Sequence, residues 1–142
     1  MPTNTTQFEI AACSDSEFGE VVKYIELLQL DNNKLNSSQF LVAKKENKVV
    51  GFGRLRSYSV CQELCSLGVI EPFRNKGAGT AISLELIKKA ELPLYVVTII
   101  PVFFSRLGFE EVEEFPSDIG VKMSYCTDSL PVPETYVAMR HK

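Results

Sequence analysis

The chain has 142 residues, 45% hydrophobic and 23% charged, and a formal net charge of −3. Those values suit one domain able to bury a core without staples, and an acidic balance argues against nucleic acid as a partner. No apolar run approaches membrane-spanning length and Met1 to Gln7 is polar and uncharged, so neither a membrane partner nor a signal peptide is expected, and a cytoplasmic location is.

Gln7 to Ala12 reads as a short first strand. Ser14-Asp15-Ser16-Glu17 has the form of a capping box, with Glu17 reaching back to Ser14. Phe18, Val21, Val22, Ile25 and Leu28 then recur at helical spacing, so an amphipathic helix is expected over 15–29. Asp31 to Ser38 is polar and loop-like. Phe40 to Lys45 and Lys48 to Tyr58 read as strands joined by a tight Glu46-Asn47 turn. Gln62 to Ile70 is a further strand, and its short link to the one before implies antiparallel pairing. A helix is expected from Gly77 to about Glu91, ended by Pro93. Leu94 to Ile99 is a near-continuous apolar strand, as a central position requires. Pro101 to Leu107 reads as a helix stopped by Gly108, and Phe109 to Glu114 as a strand. Beyond Pro116 and Ser117 a helix with Ile119, Met123 and Cys126 on one face is expected, then a last strand over Thr135 to Met139. The class is mixed α/β, an antiparallel meander ahead of one crossover helix, in a single domain over 1–142.

Cys13, Cys61, Cys65 and Cys126 have no metal-ligand spacing and read as small buried apolar residues, so no metal is expected.

The most informative segment runs from Val69 to Gly79. An apolar strand is stopped by Pro72, Arg74 and Lys76 follow, and Gly77 and Gly79 open a helix. Helix N-termini carry unpaired N–H groups and partial positive charge, and glycine lets backbone approach an anion closely. A phosphorylated cofactor is the expected ligand. Walker A does not occur. The dinucleotide pattern begins at Gly51-Phe52-Gly53, but Arg56 stands where its third glycine belongs. What remains is Arg74-Asn75-Lys76-Gly77-Ala78-Gly79, of the form R-x-x-G-x-G.

The stretch from Glu63 through Val69 and on to Thr80 resembles the acetyl-CoA-binding motif of the GNAT N-acetyltransferases. Pro101-Val102-Phe103-Phe104-Ser105-Arg106-Leu107-Gly108-Phe109 is similar to a second motif of that family, with Phe103-Phe104 in place of the usual Phe-Tyr. The resemblance covers nearly the whole chain. It implies a largely antiparallel sheet of about seven strands flanked by helices and splayed at the acyl-CoA site. It implies acetyl-CoA as co-substrate and transfer to a primary amine of a small metabolite, amino acid or peptide. The amides of Lys76, Gly77, Gly79 and Thr80 would cradle the pyrophosphate around Ala78, with Arg74 and Asn75 flanking it. Leu67 and Val69 would pair with the pantetheine arm as an added strand does. The Leu67 N–H would be the donor to the thioester oxygen.

Glu63 stands upstream of Arg74 at the spacing of a general-base glutamate in GNAT histone acetyltransferases. It could take the amine's proton, sit at the strand's exposed start, or pair only with Arg54 or Arg56. The family's leaving-group tyrosine is replaced by Phe104, which leaves Tyr136 or Tyr58 as substitutes, or an unprotonated thiolate. Phe103, Leu107 and Phe109 read as core. Arg54, Arg56 and Tyr58 share a strand parity; guanidinium groups there suit an acceptor carboxylate, and a solvated face is the other reading. The Phe-Phe pair, Lys122, Cys126 and Tyr136 to Met139 are similar to short proteins of the N-acetylglutamate synthase branch. Two other readings stay open: a non-catalytic acyl-CoA sensor, which the missing tyrosine favours, and a partner-binding domain with an empty loop. Oligomeric state stays open, and the late strands could pair across a homodimer.

Overall fold

The computed structural model of the protein describes residues 8–142, so Gln7 and the polar segment before it lie outside the described residues. Strands β1 (Glu9–Ala12), β2 (Phe40–Lys45), β3 (Lys48–Ser57), β4 (Gln62–Val69), β5 (Leu94–Thr98), β6 (Phe109–Glu111) and β7 (Val137–His141) form one sheet. Their order is β1-β2-β3-β4-β5-β7-β6. Each neighbouring pair is antiparallel except β4 with β5. The helices are α1 (Asp15–Leu27), α2 (Ala78–Lys89), α3 (Pro101–Ser105) and α4 (Ser117–Ser129). A parallel pair needs a crossover, and α2 supplies it. Among the described residues no helix is long and apolar enough to cross a membrane.

Strand alternation sorts the core into two faces. Leu41, Ala43, Leu64, Leu94, Val96 and Met139 meet Ala78, Ile82 and Leu86 of α2 and Phe104 of α3. The intervening Phe40, Val42 and Phe52 meet Val21 and Ile25 of α1 on the other face. Cys61, Tyr95 and Ala138 meet Ile119 of α4 on that second face. The site described below lies between α1 and α4.

Local chemistry sets the elements. The Ser14 side chain accepts from the Glu17 N–H and Glu17 accepts from the Ser14 N–H, so the capping box is complete. Glu46 and Asn47 both have positive φ, 53° and 67°, as a two-residue hairpin turn of the right twist demands. Gly53 is required by packing rather than by a nucleotide. A Cβ there would stand 2.7 Å from Ile82 Cγ2, so only glycine lets α2 lie this close to β3.

Boundaries depart from sequence expectation mainly at the far edge. β6 ends at Glu111, not Glu114, because its ladder with β7 ends at Glu111 opposite Met139. β7 runs over Val137–His141 rather than from Thr135, since Arg140 pairs with Tyr95 and His141 with Phe109. Gln29 adopts a φ of 55°, so α1 closes at Leu27. α3 is a short Pro101–Ser105 helix, and α2 begins at Ala78 with Gly77 as its cap.

Candidate active site

β4 and β5 pair only at Gln62 with Leu94 and Glu63 with Tyr95, then diverge. A bulge in β4 accompanies the divergence. Ser66 and Leu67 stand opposite the single residue Gly53, and Ser66 takes a φ of 51°. The extra residue keeps Leu64, Leu67 and Val69 on the α2 face while Ser66 turns toward α1, its hydroxyl donating to the Asp31 carbonyl at 2.8 Å. The gap opens into a cavity of about 650 Å³ lined by Leu67, Gly68, Val69, Arg74, Val97 and Thr98, among others. The unpaired side of β4 faces it and offers backbone donors and acceptors to an extended ligand.

At the mouth, Asn75 has a φ of 64° and Gly77 one of 93°. These left-handed residues curl the chain into the start of α2, whose cap has no side-chain hydrogen bond. The first helical bond runs from the Ala81 N–H to the Gly77 carbonyl, so the Ala78, Gly79 and Thr80 amides have no intrahelical partner. Asn75, Lys76 and Gly77 are exposed, and Ala78 can contribute only backbone because its side chain is buried. Arg74 folds back over the strand end, its Nε donating to the Val69 carbonyl at 2.8 Å, and lines the cavity.

A second pocket of about 480 Å³ lies beside the loop after α1 and is lined by Asp31, Asn33, Lys34, Arg56, Tyr58, Lys122 and Tyr125, among others. Asp31 and Lys122 line both spaces. Lys122 Nζ stands 2.9 Å from Asp31 Oδ2 and also contacts Glu63 Oε2. The Tyr58 hydroxyl donates to Glu63 Oε1 at 2.8 Å. Burial works against charge on Lys122, but the Cys65 sulfur and the Glu63 and Asp31 carboxylates outweigh it and raise the lysine above its ordinary range. Burial alone would raise Asp31; Lys122 and the Asn33 amide reverse that and hold it below the usual carboxylate range. Burial, reinforced by Glu63, raises the Tyr58 hydroxyl and keeps it protonated.

Of the residues singled out in the sequence, Leu67, Val69, Arg74 and Tyr136 line the larger cavity, and Arg56 and Tyr58 the smaller pocket. Arg54, Arg56 and Tyr58 share a strand parity but not a setting, since Arg56 and Tyr58 are half-buried in the wall of the smaller pocket. Arg54 is fully buried and lines neither space. It donates to Gln39 Oε1 and to the Asn33 and Lys34 carbonyls, holding the pocket wall instead of facing an acceptor. Glu63 is fully buried too and lines neither space, and its ion pair is with Lys122 rather than with Arg54 or Arg56. Tyr136 spends its hydroxyl proton on the Leu130 carbonyl at 2.6 Å. Burial, with Glu63 adding, pushes the Cys65 thiol up to about 12, and burial pushes Cys126 to about 11, so neither is a nucleophile at neutral pH.

Sequence reasoning did not anticipate the ion pair of Asp31 with Lys122, which lines both spaces. A lysine on the apolar stripe of a helix, between Ile119 and Cys126, was the available signal. Asp31 gave none, since an aspartate in a polar loop is ordinary.

An open sheet with one parallel junction, splayed there over a phosphate-type cradle, defines an acyl-CoA-dependent transferase fold. The profile of the acetyltransferase (GNAT) family matches residues 6–102, more than half of the chain, and the protein belongs to that family, whose co-substrate is acetyl-CoA. An uncharacterized N-acetyltransferase of Chlorobaculum tepidum is 34% identical over 106 residues, 67% of this chain and 66% of that one. Rv2747 of Mycobacterium tuberculosis, solved with CoA and NLQ, superposes with a TM-score of 0.75 at 23% identity, covering 94% of this chain and 98% of that one. N-acetylglutamate synthase of Neisseria gonorrhoeae, solved with coenzyme A and N-acetyl-glutamate, also gives 0.75, at 14% identity, over 95% of this chain but 35% of that one. At these identities the two solved structures establish a shared fold.

Proposed function

We propose that the protein is an N-acetyltransferase that moves the acetyl group of acetyl-CoA directly to the primary amine of a small metabolite, amino acid or peptide. The observation that carries this reading is the divergence of β4 from β5 after Glu63, which opens the 650 Å³ cavity lined at one end by Arg74, the first residue of the 74–80 segment. In this reading the Lys76, Gly77, Gly79 and Thr80 amides hold the pyrophosphate, with Arg74 and Asn75 beside it. Pantetheine lies along Leu67 and Val69. The Leu67 N–H faces the thioester oxygen, where loss of one such donor typically lowers rates by roughly 10²–10³.

The acceptor enters the smaller pocket. Arg56 lies in its wall, stacked over the Tyr58 ring at 5.3 Å, and offers a guanidinium to an acceptor carboxylate. Amino acids are therefore the first acceptors to test, and the N-acetyl-glutamate bound by the Neisseria synthase is a chemical precedent on the same fold.

The test pairs calorimetric titration of acetyl-CoA with an amine panel that detects free coenzyme A thiol, including glutamate, polyamines and peptide N-termini. Saturable binding with amine-dependent thiol release is expected. Phe104, buried and without a hydroxyl, favours a second reading, a sensor that binds acyl-CoA without turnover. Binding without thiol release would establish that reading, and no binding at millimolar cofactor would overturn both.

A further inference from the structure

We propose that the part of the larger cavity between the segments after α1 and α4 is an acyl-chain subsite, so that the protein takes straight-chain acyl-CoA donors longer than acetyl, up to at least butyryl. The inference rests on the cofactor placement proposed above, with the thioester at the Leu67 N–H.

The cavity passes through the gap from one face of the sheet to the other. Leu67, Val69 and Phe104 wall it among the side chains that pack with α2, whereas Leu28 and Leu30, from the end of α1, pack with the opposite face. Both leucines come close to β4 one residue beyond Leu67. A Cβ on Gly68 would stand 3.1 Å from Leu28 Cδ1 and 3.1 Å from Leu30 Cδ1. The missing side chain at Gly68 therefore brings two apolar groups beside the thioester. Leu130 and Val132, from the segment after α4, line the same cavity. The Tyr136 hydroxyl donates to the Leu130 carbonyl at 2.6 Å and closes that segment into a short loop at the cavity wall.

The polar groups of this end are already engaged. Ser66 donates to the Asp31 carbonyl, and Tyr136 to that of Leu130. Its cation, Lys122, is committed to Asp31 and Glu63. Burial pushes the Cys126 thiol up to about 11, so it stays neutral. The smaller pocket differs, with Lys34, Arg56 and Asp118 in its wall, and suits a charged acceptor. What the larger cavity offers beyond the thioester is apolar surface, which an alkyl chain covers and a single methyl group covers only in part.

Acyl length leaves the transfer step unchanged. The amine lone pair forms the C–N bond and the C–S bond breaks with its pair on sulfur. The proton shed by nitrogen ends on the thiolate, which gives the amide and coenzyme A thiol.

The experiment uses the full chain with acetyl-, propionyl- and butyryl-CoA. By calorimetry, Kd should fall about fourfold per added methylene, the worth of moving one CH₂ from water to an apolar wall. With the best amine of the panel, kcat/KM for butyryl-CoA should stay within about tenfold of that for acetyl-CoA, since a wall that ended at acetyl would reject the longer chain by more. Butyryl-CoA that binds no tighter than acetyl-CoA, or that is rejected on that scale, overturns the inference. Leu30→Phe and Val132→Phe narrow the wall and should each remove most of the butyryl preference in Kd. Val132 is 41% exposed, so its variant folds even where β4 leaves no room for the larger side chain at Leu30. A preference intact in the folded variants overturns the placement of the subsite. A parent that binds butyryl-CoA more tightly but releases no thiol with any amine overturns the transfer reading and supports the subsite. One that binds no acyl-CoA overturns the cofactor reading and the subsite with it.

Discussion

Lys122 Nζ lies 2.9 Å from Asp31 Oδ2 and also contacts Glu63, so one ammonium on α4 ties the loop after α1 to strand β4. The three side chains are almost wholly buried, and Asp31 and Lys122 line both spaces of the site. Such a cluster is strong only while it is complete, because each member left alone is an uncompensated buried charge.

Stability should therefore fall at both ends of the pH scale. Asp31 is held below its unfolded value of about 3.9, so its contribution is present above that pH and lost as pH falls through the lower, folded value. Lys122 is raised above its unfolded value of about 10.4, so its contribution is present below that pH and lost as pH rises through the higher, folded value. Urea unfolding across pH should give a plateau between these limits. Asp31→Asn should flatten the acid limb.

Lys122→Met should destabilise the fold by about 3–5 kcal/mol, since it strands two buried carboxylates. Thermal and urea unfolding measure this. Lys122→Arg should not restore full stability, because the planar guanidinium is bulkier than the ammonium that fits between Asp31 and Glu63. Parental stability in Lys122→Met would contradict the ion-pair geometry.

Arg74→Ala should weaken acetyl-CoA binding by about tenfold, the scale of one charge-assisted contact of roughly 1.5 kcal/mol. The variant should also show a shallower loss of affinity with added salt, because the parental contribution is exposed and screened. Its unfolding midpoint should stay close to the parent's, since the side chain makes one exposed hydrogen bond to Val69.

Gly53→Ala should cost about 1–3 kcal/mol in unfolding measurements, the usual scale of overpacking. Its Cβ would meet Ile82 Cγ2 at 2.7 Å and Leu86 Cδ1 at 3.0 Å, forcing α2 away from β3. Because α2 carries the cradle at its N-terminus, acetyl-CoA affinity should fall with it. Gly19→Ala, exposed within α1 and with nothing within 4 Å of the added Cβ, is the control, and should gain up to about 1 kcal/mol from helix propensity.

Much of the fold and of the cofactor side was readable along the chain because its causes are local. Ser14 and Glu17 cap α1 through a three-residue contact. Glu46 and Asn47 turn a hairpin between strands they join directly. The Arg74–Thr80 segment curls into a helix entry through its own left-handed residues, and Leu67 and Val69 precede it on one strand. Short-range hydrogen bonds and backbone preferences leave their mark on residue types at fixed spacing.

The acceptor side was not readable in the same way. Asp31, Glu63 and Lys122 come from a loop, a strand and a helix far apart in the chain, and no spacing rule links them. Strand parity lets Arg54 read as a ligand contact or a solvated side chain, and its complete burial leaves no mark on the sequence. The bulge at Ser66 arises from pairing against Gly53, and it sets which β4 side chains face the gap. Periodicity and glycine placement carry the scaffold and the cradle, since those rest on backbone geometry within a few residues. Which charges end up buried together depends on packing α1 and α4 over the sheet, which brings Asp31 and Lys122 to Glu63.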